Sequence, residues 1–396
     1  MVVNIALVGC AGIAKSHAEG YKLLETVEVV ATCDLVEKHA IDRANEIESF
    51  QETSPVVYTD FDELLAERDD IEAIDICTGH ASHHVLAEQA LDAGKHVLVE
   101  KPLGITVKAA KRVIDAAERN DRILGVAENA RQSASDRAQA WAIEDNYLGT
   151  PRMLFRVQAE ERLATWGWRE DKLAAGGGWV FDGGVHDISQ WRAMLGNIET
   201  VFAVTEQFEN HRYEHFGGAP PYGFRHEFEW PPGPERRGPV EATVEDTSFA
   251  TLQFENGTLG QWLYTCAAPA KTFGENVLYG SQGAIDFDEK ALITTEERLD
   301  FSSLTDRYLD SLDSGQRNKL FPASIDHAKG NVLGEFVNAI REDREPELDG
   351  EEGLRDMAVP MAIYESSVLG MPVTIDEVLA GEIDTYQSDI NDALDI

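Results

Sequence analysis

Val97-Leu98-Val99-Glu100-Lys101-Pro102 is an apolar run too short for a helix, and it ends in a carboxylate, an ammonium and a residue with no N–H for a sheet ladder. It reads as a buried strand that stops at a working edge. In an open parallel sheet, ligands collect beyond the carboxyl ends of the strands, so Glu100 and Lys101 are expected where a cofactor and a substrate meet. Lys101 is the first catalytic candidate; the alternative is an ordinary surface lysine at the start of a loop.

Upstream, the apolar run Val2–Val8 enters Gly9-Cys10-Ala11-Gly12-Ile13-Ala14, and Ser16–Leu24 then follows a helical pattern. Strand, tight turn and helix in this order bring backbone N–H groups and a positive helix end against a pyrophosphate. The dinucleotide fingerprint asks for glycine at the first, third and sixth positions. Here the third is Ala11 and the sixth Ala14, so Gly9, Ala11, Gly12, Ile13 and Ala14 form a variant cradle. A second strand, Val27–Cys33, ends in Asp34, suited to accept hydrogen bonds from an adenosine ribose. A helix N-cap is its other reading. No arginine follows directly to receive a 2′-phosphate. NAD is therefore favoured, with NADP kept open by nearby Lys38 and Arg43.

Further strands are read at Val56–Tyr58, Ala73–Cys77, Val97–Val99 and Ile123–Ala127, each of the first three followed by a helical pattern. That alternation predicts an α/β fold, with a doubly wound parallel sheet. Thr78, Gly79 and His80 sit at a strand end, within reach of the cofactor. His80, His83 and His84 suggest a metal cluster at first sight, but no cysteine or carboxylate completes a ligand set. No metal is expected, and His83 is read as facing the cofactor.

The 396 residues suffice for two domains and a large core, and 43% apolar content argues for a globular chain. Against 34 basic groups stand 72 acidic ones, a net charge of −38. Such a surface repels nucleic acid and anionic membrane, and it repels itself at low salt, as halophilic proteins do. Stability is expected to rise with salt. The four cysteines lack metal spacing and read as buried small hydrophobes. No apolar run reaches the ~20 residues of a membrane span, and no basic region with a long apolar segment opens the chain. A cytoplasmic location is expected.

Taken together, the chain resembles the glucose-fructose oxidoreductase and inositol dehydrogenase (Gfo/Idh/MocA) family. The resemblance rests on Gly9–Ala14, Thr78-Gly79-His80-Ala81-Ser82-His83, Ala93-Gly94-Lys95-His96 leading into Glu100-Lys101-Pro102, Ala127-Glu128-Asn129, and Gly176-Gly177-Gly178 with Asp182 and His186. It is specific to about residue 200 and looser beyond. Ala11 and Gly79 depart from the family pattern. The family implies a nicotinamide domain followed by an α/β domain with an open, mainly antiparallel sheet that commonly forms the subunit interface, hence a homodimer or homotetramer. Residues 1–127 are expected to form the first domain, 128–375 the substrate and oligomerisation domain, and 376–396 an acidic, solvated tail. Thr247–Phe254 and Thr258–Tyr264 read as a hairpin turning at Asn256-Gly257.

Asp182 and His186, at i and i+4, share one face of a helix whose first turn also holds Gly183 and Gly184. Glycine there disfavours the helix, so something is expected to approach that backbone closely. Gly176–Gly178 should give the entering loop the same openness. On the residues alone, His186 reads as a core or capping histidine. The resemblance implies instead that His186 is the general acid/base, that Asp182 orients it, and that Lys101 binds the reacting oxygen. Lys101-Pro102 is a candidate cis peptide. Glu100 and Asn129 are assigned to the cofactor. Arg131, Trp168 and Arg169 are assigned, with Lys101 and His186, to the substrate; Trp166 and Trp168 read equally as packing residues. Residues 211–241, rich in Pro, Gly and aromatics, are expected to be an ordered insertion over the site or against a neighbouring subunit.

The expected function is hydride transfer between NAD(P) and a CH–OH group of a sugar, sugar derivative or cyclitol. The competing readings are a glycoside hydrolase that oxidises its sugar transiently with NAD, and a non-catalytic dinucleotide sensor.

Overall fold

The computed structural model describes residues 2–165, 167–215 and 236–396. Trp166 and most of the expected insertion lie outside the described residues.

Six strands form one parallel sheet: β1 (Val3–Val8), β2 (Val27–Cys33), β3 (Val56–Tyr58), β4 (Ala73–Ile76), β5 (His96–Val99) and β6 (Leu124–Val126). Their spatial order is β3-β2-β1-β4-β5-β6, every pair parallel. All of β4 and β6 is buried, as unbroken apolar runs in a sheet covered on both faces require. The order reverses between β1 and β4, opening a crevice at their carboxyl ends. Gly9 and Thr78 stand on its two sides.

A second sheet of nine strands is antiparallel throughout, except where Leu259–Thr265 runs parallel to Pro151–Ala159. Its expected hairpin turns at Asn256-Gly257, with Gly257 at φ +85°. Strict alternation along residues 248–254 buries one face and exposes the other.

Two helices from late in the chain return to the first sheet. Leu333, Phe336 and Val337 of Ala328–Glu342 share a core with Val3, Ile5 and Leu7 of β1. Gly350–Leu369 packs against β6, and a Cβ on Gly353 would meet Val126 at 2.5 Å. The first sheet is thus roofed by segments more than two hundred residues downstream of β5.

The segment after 375 is not the solvated end its charge predicts. It forms helices Ile375–Ala380 and Thr385–Ala393, and Ile390 is fully buried with Ile105 and Ala109. Gln387 Oε1 accepts the Val107 N–H at 2.8 Å, and the Thr106 hydroxyl donates to Asn391 Oδ1 at 2.7 Å. The acidic residues form only its outer face; the composition conceals an apolar stripe. All four cysteines are buried and free. Among the described residues, no helix is long and apolar enough to cross a membrane.

Candidate active site

Lys101 leaves β5 through a cis peptide to Pro102. Its ammonium donates to Asp182 Oδ1 at 3.0 Å and to the Asp182 carbonyl at 2.7 Å. Asp182, 4% exposed, ends a short helix, Trp179–Asp182. Arg169 Nη1 stands 3.0 Å from its Oδ2, and His80 Nε2 lies 3.3 Å from Oδ1. Burial alone would raise its pKa, but the Arg169 and Lys101 cations, with His80, hold this carboxyl well below the usual range.

His186 lies on the next helix, Gly184–Leu195, and its partner is not Asp182. The Nδ1 atom is 2.7 Å from Glu128 Oε1, which also accepts the Ala130 N–H at 2.7 Å. An ionised carboxylate only accepts, so Nδ1 carries the proton of this bond and Nε2 is the nitrogen left for a ligand. Glu128 is 2% exposed, whereas the His186 side chain is 31% exposed. Burial disfavours the Glu128 charge, yet His186 and, more weakly, Lys101 keep its pKa below normal. The imidazole thus rests on one buried carboxylate, which is close enough to Lys101 to feel its charge and whose Oε2 has no hydrogen-bond partner among the described residues.

The expected i, i+4 pairing fails because the helix is interrupted at Gly183. A Cβ there would meet the Trp179 indole at 2.4 Å, and one on Gly184 would meet Trp262 at 2.3 Å. Two indole rings make the close approach inferred from these glycines. The Gly176–Gly178 loop is likewise filled: a Cβ at Gly177 would meet the Tyr364 hydroxyl at 2.4 Å, and one at Gly178 the Glu245 carboxyl at 2.7 Å. Glu245 accepts the Gly178 N–H at 2.9 Å, and burial pushes its pKa up to about 7.

The crevice fits a dinucleotide. Gly9 has φ +82°, and any Cβ would lie 2.7 Å from Thr78 Cγ2. Ala11 and Gly79 precede helices Gly12–Tyr21 and His80–Asp92 and supply no side-chain cap, whereas Asp60 and Thr106 cap the helices after β3 and β5. The first-turn N–H groups and the positive ends of those two helices are left for phosphate. A Cβ on Gly12 or Gly79 would meet nothing within 4 Å, so space is open beside both. Ala14 is buried beneath the turn, and Ile13 is half-buried.

Asp34 ends β2 as expected. Its Oδ2 accepts the Cys10 N–H at 2.7 Å and its Oδ1 the Val36 N–H at 2.8 Å, which ties β2 to the glycine turn. Arg43 is buried against the glycine turn, donating to the Cys10 carbonyl and pairing with Glu46.

Three further assignments change. Glu100 does not face the crevice freely; it is 4% exposed, and its Oε1 accepts from His17 Nε2 at 2.9 Å and Lys329 Nζ at 2.5 Å. His83 is fully buried, with ring nitrogens 2.8 Å from the Pro102 carbonyl and 3.0 Å from the Thr78 carbonyl; it braces two loops instead of facing a ligand. Burial and neighbouring His80 push its pKa down to about 4. Arg131 pairs with Glu352 at 2.8 Å in a cluster with Arg192 and Asp356, which engages it away from substrate hydroxyls. Asn129 is half-buried in the loop after β6. Trp168 is 38% exposed and stands edge-on to His80 at 5.0 Å, bringing Trp168, Arg169 and His80 to the Asp182 side of the site. His80 Nδ1 donates to the Ala175 carbonyl at 2.8 Å.

Glu128 is the functional side chain that sequence reasoning misses, although a carboxylate directly after a strand repeats the Glu100 signal. Nothing local marks His17, Asp75 or Lys329.

Comparison with known proteins agrees with the two-part α/β fold. Residues 3–128 match the oxidoreductase family's NAD-binding Rossmann fold, and residues 141–375 match the same family's C-terminal alpha/beta domain. A 1,5-anhydro-D-fructose reductase from Ensifer adhaerens is 26% identical over 80% of this chain and 84% of its own. An alpha-N-acetylgalactosaminidase from Shewanella oneidensis is 38% identical over 32% of this chain and 28% of its own. The structure of a levoglucosan dehydrogenase in complex with NADH superposes with a TM-score of 0.72 at 20% identity, covering 95% of this chain and 99% of that one. The chain belongs to the Gfo/Idh/MocA family of oxidoreductases, with an NAD-binding Rossmann domain and a C-terminal α/β domain.

Proposed function

We propose that the protein is a dehydrogenase acting on a CH–OH group of a sugar, sugar derivative or cyclitol, with His186 as general acid/base and Lys101 at the reacting oxygen. The observation that carries this reading is the pairing of His186 with Glu128 beside Lys101 with Asp182. Gly9, Ala11, Gly12, Ile13, Ala14, Asp34, Thr78 and Gly79 would hold the dinucleotide. When bound, the nicotinamide accepts hydride from the carbinol carbon or returns it. His186 Nε2 takes the hydroxyl proton while Glu128 holds the ring through Nδ1. Two N–H groups of Lys101 are engaged by Asp182, and the third, without a partner among the described residues, would stabilise the oxygen as negative charge develops on it. Trp168 and Arg169 would border the substrate.

Similarity to a sugar reductase along most of both chains supports the substrate class. Similarity to a glycosidase reaches only a third of this chain, which favours the dehydrogenase over the hydrolase. The protein would work in a salt-rich cytoplasm as a homo-oligomer joined through the outer face of the nine-stranded sheet. Met153, Phe155, Phe202, Val204, Phe249 and Leu259 support this: they are aligned on that face and are 36–54% exposed.

The test is a panel of sugars, sugar acids and inositols with NAD and NADP at high salt, followed by the absorbance of reduced nicotinamide. Lys101→Ala and His186→Ala should each lower turnover about 10²-fold or more, with NADH binding retained. Glycoside cleavage without net NADH would replace the dehydrogenase by the hydrolase. Wild-type turnover in the double variant would remove the residue assignments.

A further inference from the structure

Beneath the crevice lies a buried ionic chain that the proposed chemistry does not use. Asp75, in β4, accepts from the Tyr21 hydroxyl and from His17 Nδ1, each at 2.7 Å. His17 Nε2 reaches Glu100 at 2.9 Å, and Lys329 Nζ closes the chain on the same Glu100 oxygen at 2.5 Å. Lys329 then makes a second bond, 2.9 Å to the carbonyl of Ala127. Lys329 and Glu100 are 8% and 4% exposed, and His17 and Asp75 are fully buried. Burial opposes positive charge on Lys329 and on His17, yet Glu100 raises the pKa of the first and Asp75 that of the second; the ammonium and both ring nitrogens lie against carboxylate oxygens. His17, Asp75 and Cys77 offer donor atoms within 4.8 Å of one another, as a metal site would. Asp75 is already engaged there by His17 and by the Tyr21 hydroxyl.

Each acceptor of Lys329 adjoins a residue of the active site. Glu100 immediately precedes Lys101, and Ala127 immediately precedes Glu128. We infer that Lys329 is a positioning residue of the active site: its ammonium clamps the ends of β5 and β6 together and so fixes Lys101 relative to the Glu128–His186 pair. Val332, Leu333, Phe336 and Val337 already dock the helix that carries it, so a methionine would serve that packing. A buried ion pair is costly unless every group is satisfied, and an ammonium at 329 adds a link between two strand ends that an apolar side chain cannot make. The site is completed only when a helix 229 residues downstream of Glu100 closes on the first sheet.

The catalytic consequence rests on the dehydrogenase reading; the clamp itself does not. Lys329→Met and the charge-paired Glu100→Gln/Lys329→Met are compared with wild type in two measurements. Amide hydrogen exchange in the protein without nicotinamide should quicken at residues 97–101 and 124–129 and stay unchanged in 350–369. Turnover should fall about tenfold or more, since small misplacements of reacting groups are amplified in rate, while NADH affinity moves less than twofold. The double variant leaves no uncompensated buried charge; if the single variant does not fold, the double decides. Unchanged exchange at both strand ends overturns the clamp. Quickened exchange with wild-type turnover overturns the positioning role. Absence of nicotinamide turnover in the wild type would count against the proposed function, and the exchange measurement would still decide the clamp.

Discussion

The tautomer of His186 depends on one oxygen atom. Glu128 Oε1 at 2.7 Å keeps the proton on Nδ1 and the lone pair on Nε2. Replacing Glu128 by Gln offers that ring an amide, which no longer enforces one tautomer or stabilises the imidazolium formed when the proton is taken. Glu128→Gln is expected to lower kcat by about 10²-fold and leave the dissociation constant of NADH nearly unchanged, as read by nicotinamide fluorescence. A fall confined to NADH binding would instead assign Glu128 to the cofactor. At this scale the sequence misleads where spacing is trusted over backbone continuity. Asp182 and His186 are four apart, but the break at Gly183 turns the carboxylate to Lys101 and leaves the imidazole to a residue 58 positions upstream.

Among the elements, the last helix has the most to reveal. Thr385–Ala393 covers Ile105 and Ala109 with Ile390 and satisfies the backbone N–H of Val107 through Gln387. Val107 opens the helix that comes after Lys101-Pro102, so this last helix braces the loop bearing Lys101, the lysine proposed for catalysis. Ile390→Ala should cost about 2–4 kcal/mol of unfolding free energy, measured by urea denaturation at high salt. A change below about 0.5 kcal/mol, the range of surface substitutions, would mean that the segment is dispensable.

The carboxylates of the site are buried beside cations, whereas the acidic excess of the chain stands at its surface. Arg169 and Lys101 converge on one carboxylate, Lys329 on another, within a chain of net charge −38. Screening should therefore act on the surface more than on the site. The thermal midpoint is expected to rise steadily between about 0.1 and 2 M KCl as surface repulsion is screened; a flat profile would remove the halophilic reading. The exposed face of the nine-stranded sheet is a separate matter, because its apolar side chains lie in register across neighbouring strands. Leu259→Asp, at a position 54% exposed in the single chain, should shift the protein to monomers in light scattering without lowering its unfolding midpoint in monomeric form. An unchanged mass would exclude this face as the interface.

Local patterns settled the Rossmann half. Apolar runs, glycine turns and helix periods are nearest-neighbour properties, and β1 to β6, the crevice and Lys101 all derive from them. The hairpin at Asn256-Gly257 was legible for the same reason. Partnerships between distant residues were not: Glu128 with His186, Lys329 with Glu100, Ile390 with Ile105. Each depends on how segments distant in the chain pack together, and that packing is chosen by shape and buried area summed over many residues. No spacing in the chain records it.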